Sequence, residues 1–457
     1  MILERIKSAG IAHISYLVGS GNEAAVIDPR RDCQVYVQHA RRQGLKIKYI
    51  FETHRNEDYV IGSLELQSIT GAEIYHGPGL DWKYGNILKD SQAFRMGGIS
   101  LTAVHTPGHT NESMSYTLAD LDIGTVVVAV FTGDTLFIGD VGRTDLYGEA
   151  EAPRLASNLY DSIFNRLLPL GDGTIIYPAH GGGSVCGAHI ADREESTIGI
   201  ERARNRALQR DKEAFVKYKI AEKLERPYYF SQMEKYNLEG PPLLGHLPSP
   251  APLTPKEFKA EVGKGALLVD TREPPAFGGV HIKGSYSVWL EGLPNFAGWV
   301  LPYDKPIVLV LEKQADLNKA VRYLLRAGYD PSVKGYLKDG IEGWYKAGLE
   351  IQSLNFLSVH QLKNALDSHE ELVVLDARSE GEWKSGHIPG ALHIYVGYLE
   401  QRLAEVPKDK PVAVYCESGS RSGLAASILL RAGYPKVYNV PGSISAWKAA
   451  GFPVTKD

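Results

Sequence analysis

Cysteine is scarce in this chain: three residues in 457, Cys33, Cys186 and Cys416. So small and odd a set argues against a disulfide framework and fits a reducing compartment, so the expected location is cytoplasmic. Long apolar runs are missing too. No stretch approaches the roughly 18 apolar residues of a membrane-spanning helix, and the longest run, Thr125 to Phe131 (TVVVAVF), has the length of a strand. Met1 to Ile14 (MILERIKSAGIAHI) has neither the apolar core nor the small-residue cleavage site of a secretory leader. Charge of one sign is also lacking. A net charge of −4 points to no nucleic-acid partner and no acidic membrane surface.

What is present is an ordinary globular balance, 44% apolar and 23% charged, at a length that predicts two to four domains. In the first half, Ala24–Asp28, Ile47–Phe51, Ser100–His105, Val126–Thr132 and Thr174–Tyr177 read as strands. Glu194 to Leu224 is charged and helical in composition. Gly240 to Pro255 (GPPLLGHLPSPAPLTP) is too rich in proline for a regular element and reads as a linker. The second half repeats itself. Leu267–Arg272 (LLVDTR) matches Val373–Arg378 (VVLDAR), and His281-Ile-Lys-Gly matches His387-Ile-Pro-Gly. LLRAGY occurs at 324–329 and again at 429–434. Two α/β domains of about 100 residues each follow.

Four segments of the first half place His or Asp just after an apolar strand: Thr53–Tyr59 (THRNEDY), His105–Thr110 (HTPGHT), Thr132–Thr135 (TGDT) and Tyr177–Gly181 (YPAHG). Imidazole and carboxylate are good ligands for first-row metals, and convergent loop ends can gather them on one ion. In these motifs residues 1 to about 240 resemble the metallo-β-lactamase superfamily, which implies an αββα sandwich. The superfamily's first motif is T-H-x-H-x-D-H; here Asn56 and Tyr59 stand at two of its histidine positions. A second metal would keep only Asp58, His180 and a bridging Asp134, so a two-zinc hydrolase site looks damaged. His54, His109 and Asp134 remain. Two histidines and a carboxylate with open positions form the facial triad of non-haem Fe(II) oxygenases. The persulfide dioxygenases, a branch of this superfamily, use these three motif positions for a single iron. Gly133–Leu146 (GDTLFIGDVGRTDL), Pro178–Gly187 (PAHGGGSVCG) and Asn237–Gly240 (NLEG) resemble that branch. The resemblance implies one Fe(II) per chain, with Zn as the alternative. Asp58, Tyr59 and His180 are then expected as outer-shell groups, and Arg143 as a loop tether or a contact to an anion. Cys186 reads as a small buried residue, and no role is assigned to Cys33.

In the second half, Tyr415–Ser422 (YCESGSRS) follows the strand Pro411–Val414 and precedes a helical stretch, Gly423–Ala432. A cysteine at a helix N-terminus meets backbone N–H groups and the positive dipole end, which favour the thiolate. Gly419 lets the loop of Glu417, Ser418, Ser420 and Ser422 curl around the sulfur, and Arg421 is expected to add a cation. With Asp376, Arg378, Glu382-Trp383 and Gly386–Gly390 upstream, this segment resembles the single-domain rhodaneses. That implies a sulfurtransferase carrying sulfane sulfur on Cys416, with Asp376, Arg378 and His387 structural. In the first copy Leu311 falls opposite Cys416 and Asp316 opposite Arg421, so that copy is expected to be inactive.

The expected fold is a multidomain α/β chain: a metallo-β-lactamase-like sandwich over 1–240, a linker over 241–252, an inactive rhodanese-like domain over 253–350 and an active one over 354–457, each rhodanese domain a three-layer α/β unit. The expected activity is oxidation of a low-molecular-weight persulfide with O2 to sulfite and thiol, in the service of sulfide detoxification, with Cys416 carrying sulfane sulfur either to supply persulfide to the iron or to convert the sulfite to thiosulfate. A glyoxalase II-like zinc thioester hydrolase is the alternative, and a metal-binding sulfur sensor or carrier the third reading. The dioxygenase branch also forms homo-oligomers.

Overall fold

The computed structural model describes residues 1–187, 189–222 and 224–456. The chain divides into two compact units, 1–224 with 229–247, and 225–228 with 248–457.

The first unit has two six-stranded sheets. In spatial order the first holds Ile2–Ser8, His13–Ser20, Glu23–Ile27, Lys46–Phe51, Glu73–His76 and Asn86–Ile87. The second runs Ser196–Thr197, Ile175–Pro178, Val127–Gly133, Met114–Asp120, Ile99–His105 and Ala93–Met96. Their facing sides bury Tyr16, Val18, Phe51, Leu101, Tyr116 and Phe131 in one core. The outer faces are covered by helices. Tyr36, Val37 and Ala40 of the helix Gln34–Arg42 pack on the first sheet. Leu159 of the helix Ala152–Ser162 and Phe215 of Lys212–Ala221 lie in the core of the second. Both sheet faces are apolar and need cover, hence the four layers.

The second unit contains two five-stranded parallel sheets of identical order. One runs Ala251–Leu253, Val333–Leu337, Ile307–Val310, Leu267–Asp270, Tyr286–Ser287; the other runs Asn355–Phe356, Val437–Asn439, Val412–Tyr415, Val373–Asp376, Leu392–His393. The repeated sequence is thus a repeated topology. Ile307–Val310 and Val412–Tyr415 are buried at every residue, as strands covered on both faces must be.

Three expectations need correction. The proline-rich stretch is not irregular throughout: Ala251–Leu253 is a strand, paired in parallel with Gly335–Leu337. Proline is tolerated there because the strand lies at the sheet edge, where a missing N–H breaks no ladder. The helix after it, Pro255–Gly263, starts from a capping box of Thr254 and Glu257. The stretch 194–224 is not one helix but Ile198–Arg204 and Lys212–Ala221, separated by extended backbone at Asn205 and Arg210 and started afresh by Thr197 and Asp211 as side-chain caps; its Lys223 lies outside the described residues. Finally, 225–228 belongs with the second unit, where the Glu380 N–H donates to the Glu225 carboxylate at 2.9 Å.

Candidate metal centre and thiol loop

Each candidate ligand of the first unit sits where a strand of the sandwich ends. His54 follows Lys46–Phe51, His109 follows Ile99–His105 and Asp134 follows Val127–Gly133. Gly133 turns with φ 53°, and a Cβ there would stand 2.7 Å from that of Thr53, so only glycine lets these two strand ends approach.

The three side chains meet. His54 Nε2 lies 3.7 Å and His109 Nε2 3.5 Å from Asp134 Oδ2. All three residues are buried, and none of these three atoms has a hydrogen-bond partner. Buried polar atoms are almost always paired. Three such orphans converging on one point fit the donor set of a metal site. The remaining atoms are fixed. His54 Nδ1 is 2.9 Å from Thr53 Oγ1, which donates to Asp28 Oδ2 at 2.8 Å. His109 Nδ1 donates to the Arg143 carbonyl at 3.0 Å. These bonds turn both Nε2 lone pairs inward.

His180 behaves differently. Its Nδ1 meets Asp134 Oδ1 at 2.8 Å and its Nε2 meets Asp58 Oδ2 at 3.0 Å. Burial opposes a charge on His180, but Asp134 and Asp58 outweigh it and hold the imidazole protonated well above its usual range. Both ring nitrogens are thus within hydrogen-bond reach of a carboxylate. Its geometry is therefore that of an outer group bridging two carboxylates. Tyr59, where the superfamily has histidine, is buried against His13 with ring centroids 4.2 Å apart, and burial keeps its phenol un-ionised. Arg143 is committed to the loop: it forks onto both Asp145 oxygens at 2.7 Å and donates to the Val185 carbonyl at 3.1 Å.

Sequence reasoning passed over Glu57. Its carboxylate is buried, with Oε1 3.3 Å from His109 Nε2 and Oε2 3.8 Å from His54 Nε2. Burial would raise Glu57, but the His109 and His54 imidazoles overcome it and hold it at about 2. Burial likewise opposes charge on His109, yet Glu57 and Asp134 bring it up to about 9, while burial drives His54 down. A metal ligand must be neutral imidazole. Glu57 and Asp134 thus present negative charge to both imidazoles. Asn237, which opens the NLEG segment, is buried. It donates to the Asn56 and Tyr59 carbonyls at 2.6 and 2.8 Å and accepts from the Ile61 N–H at 2.9 Å, so it clasps the loop that carries His54 and Glu57.

In the second unit Cys416 follows the strand Val412–Tyr415, three residues before the N-cap of the helix Ser420–Arg431. Its sulfur accepts from the Gly419 N–H at 3.1 Å and lies 3.5 Å from Ser422 Oγ and 3.8 Å from Ser443 Oγ. Gly419 has φ 126°, which aims its amide at the sulfur. Arg421 departs from expectation. Its guanidinium is forked onto both Glu382 oxygens at 2.6 Å, so its charge is already compensated. Glu417 accepts from Ser445 Oγ at 2.8 Å, and the Ser418 carbonyl accepts from Gly442 at 3.0 Å. Arg378 grips Asp376 and the Gly386 carbonyl, and Arg272 grips Asp270 and the Val280 carbonyl in the same way. His387 stacks on Trp383 as His281 stacks on Phe277. The first copy keeps this frame but has buried Leu311 at the place of the nucleophile.

These sites and folds define the class. Residues 11–180 match the metallo-beta-lactamase superfamily, and 254–347 and 358–450 match the rhodanese-like domain. The chain belongs to both: a metallo-β-lactamase domain followed by two rhodanese domains. Among particular proteins, it is 30% identical over 225 residues to a mitochondrial persulfide dioxygenase ETHE1 of Bos taurus, covering 47% of this chain and 77% of that one. It is 36% identical over 101 residues to a sulfurtransferase of Allochromatium vinosum, 22% of this chain and 94% of that one. A hydroxyacylglutathione hydrolase of Tolumonas auensis is 34% identical over 170 residues, 36% of this chain and 60% of that one. The crystal structure of a metallo-beta-lactamase from Staphylococcus aureus superposes with a TM-score of 0.66 at 30% identity, covering 74% of this chain and 99% of that one. Among the described residues, no helix is long and apolar enough to cross a membrane.

Proposed function

We propose that this protein is an iron-dependent persulfide dioxygenase joined to a sulfurtransferase. The observation that carries the reading is the convergence of His54 Nε2, His109 Nε2 and Asp134 Oδ2, buried and unpartnered, while His180 is closed off by two carboxylates. One Fe(II) held by those three residues would supply the redox chemistry and open positions for a persulfide sulfur and O2. The residues around it have definable tasks. His180 orients Asp134, Thr53 orients His54, and the Arg143 carbonyl orients His109. The net reaction is R–S–S⁻ plus O2 plus water giving R–SH, sulfite and a proton.

In the second unit Cys416 would carry sulfane sulfur as a persulfide. The Gly419 N–H, which donates to the Cys416 sulfur at 3.1 Å, is placed to stabilise negative charge there, with Ser422 and Ser443 lining the sulfur. Attack by sulfite on the outer sulfur would break the S–S bond, release thiosulfate and return the Cys416 thiolate.

Resemblance to a hydroxyacylglutathione hydrolase supports a second reading, thioester hydrolysis on zinc. Metal analysis of anaerobically purified protein, paired with O2 uptake on glutathione persulfide, separates the two. The dioxygenase reading expects about one iron per chain, with sulfite formed as O2 is consumed. About two zinc per chain, acylglutathione cleavage and no O2 uptake would overturn it.

A further inference from the structure

We propose that Glu57 is a fourth protein ligand of the metal held by His54, His109 and Asp134; this rests on the single-metal reading above. The first support is distance. Ligands bound to one ion at about 2.1 Å stand about 3.0 Å apart at right angles and about 3.4 Å apart in a tetrahedron. Glu57 lies 3.3 Å from His109 Nε2 and 3.8 Å from His54 Nε2, and Asp134 lies 3.5 and 3.7 Å from the same two atoms. Glu57 is thus nearer His109 than Asp134 is and 0.1 Å further from His54, reaching the first through Oε1 and the second through Oε2.

The second support is the state of its oxygens. Glu57 Oε2 is buried with no hydrogen-bond partner, as are His54 Nε2, His109 Nε2 and Asp134 Oδ2. Leaving a buried carboxylate oxygen without a donor is costly; Asp58 Oδ1 and Tyr59 Oη are unpartnered too, and what sets Glu57 apart is that its oxygens face both imidazoles. Oε1 faces His109 Nε2 at 3.3 Å and accepts from the Cys186 thiol at 3.6 Å.

The third support is charge. A divalent ion with Asp134 alone would leave one positive charge in a buried site. Glu57 supplies the missing negative charge, and no lysine or arginine is paired with it among the described residues. Six-coordinate metal with four protein ligands keeps two open positions, enough for one sulfur and one O2. The identity of the residue three places after His54 thus sets how much of the coordination shell is left to substrate.

The test uses the full-length protein loaded with Co(II). Glu57→Gln is expected to change the visible absorption of the bound cobalt and to weaken binding in chelator competition by more than about 100-fold, beyond the 10–100-fold typical of an outer-shell change. Asp134→Asn should do the same. An unchanged spectrum with affinity within about threefold in Glu57→Gln, alongside metal loss in Asp134→Asn, overturns the Glu57 assignment and leaves the three-ligand centre standing. Wild-type protein that takes up no cobalt overturns both. Should Glu57→Gln fail to fold, anomalous diffraction from cobalt-loaded wild-type protein decides: a Glu57 oxygen within about 2.3 Å of the ion supports the ligand, and one beyond about 3 Å removes it.

Discussion

Removing the ring of His180 would leave Asp134 Oδ1 and Asp58 Oδ2 facing each other's charge in a buried site. A buried charge stripped of its partner costs several kcal/mol. His180→Ala is therefore expected to lower the stability of the metal-free protein by about 3 kcal/mol and to weaken metal binding roughly 10–100-fold. The metal-to-protein ratio at saturation should not change; a thermal melt and a metal titration check the two halves. A drop in that ratio would mean His180 is a ligand after all. In the second unit the residue to watch is Glu382. Burial would raise its carboxyl, but the Arg421 fork and the Ser379 N–H overcome this and hold it at about 2. A carboxylate with a depressed folded value stabilises the protein above its unfolded value of about 4.3 and loses that contribution as pH falls toward 2. With both partners partly exposed, the pair is worth on the order of 2 kcal/mol. Glu382→Gln should flatten the acid limb of a melting-temperature profile between about pH 4.5 and 2 and change stability little at the acid end.

The loop between the strand Val412–Tyr415 and the helix Ser420–Arg431 turns on one backbone conformation. A Cβ on Gly419 would meet nothing closer than 3.6 Å, so space does not forbid a side chain there; the φ of 126° does. Gly419→Ala should cost about 1–3 kcal/mol of strain or, if the loop relaxes, move the N–H that sits 3.1 Å from the Cys416 sulfur. Sulfur transfer from thiosulfate to cyanide should fall about tenfold, as expected when about 1.4 kcal/mol of stabilisation is lost, with the helix intact by circular dichroism. This loop was legible in sequence because strand, nucleophile, glycine and helix follow one another within a dozen residues. The strand-end positions of His54, His109 and Asp134 were legible for the same local reason. Glu57 was not, because what marks it is the approach of His109, which lies on another sheet. Nor was the Arg421–Glu382 pair, whose members are 39 positions apart, or the edge strand Ala251–Leu253, whose partner is about 80 residues downstream. Composition alone suggested one helix over 194–224; the caps Thr197 and Asp211 inside it were the signal to break it.

Within the second unit the two rhodanese copies share one frame, and the copy without a cysteine packs on the helix Ser420–Arg431 of the copy that carries Cys416. The Arg431 guanidinium lies 3.7 Å over the Tyr286 ring, Tyr286 Oη donates to Glu400 at 2.8 Å, and the Ser287 N–H donates to Ser427 Oγ at 3.0 Å. Tyr286→Ala, which breaks the first two, should lower stability by about 2 kcal/mol and reduce sulfur transfer although Tyr286 is remote from Cys416 in sequence; unchanged melting and turnover would deny the first copy a supporting role. The proposed metal centre and the thiol loop draw on different groups. The metal ligands come from the first unit alone, and the cradle of Cys416 is made of Gly419, Ser422 and Ser443, all in the second. Replacing one sulfur by oxygen removes the only side chain able to carry sulfane sulfur in the second unit without touching His54, His109 or Asp134. Cys416→Ser is therefore expected to abolish transfer from thiosulfate while O2 uptake with free glutathione persulfide stays within about twofold of wild type. Loss of O2 uptake together with transfer, in protein that still binds its metal, would mean that persulfide reaches the first unit only through Cys416.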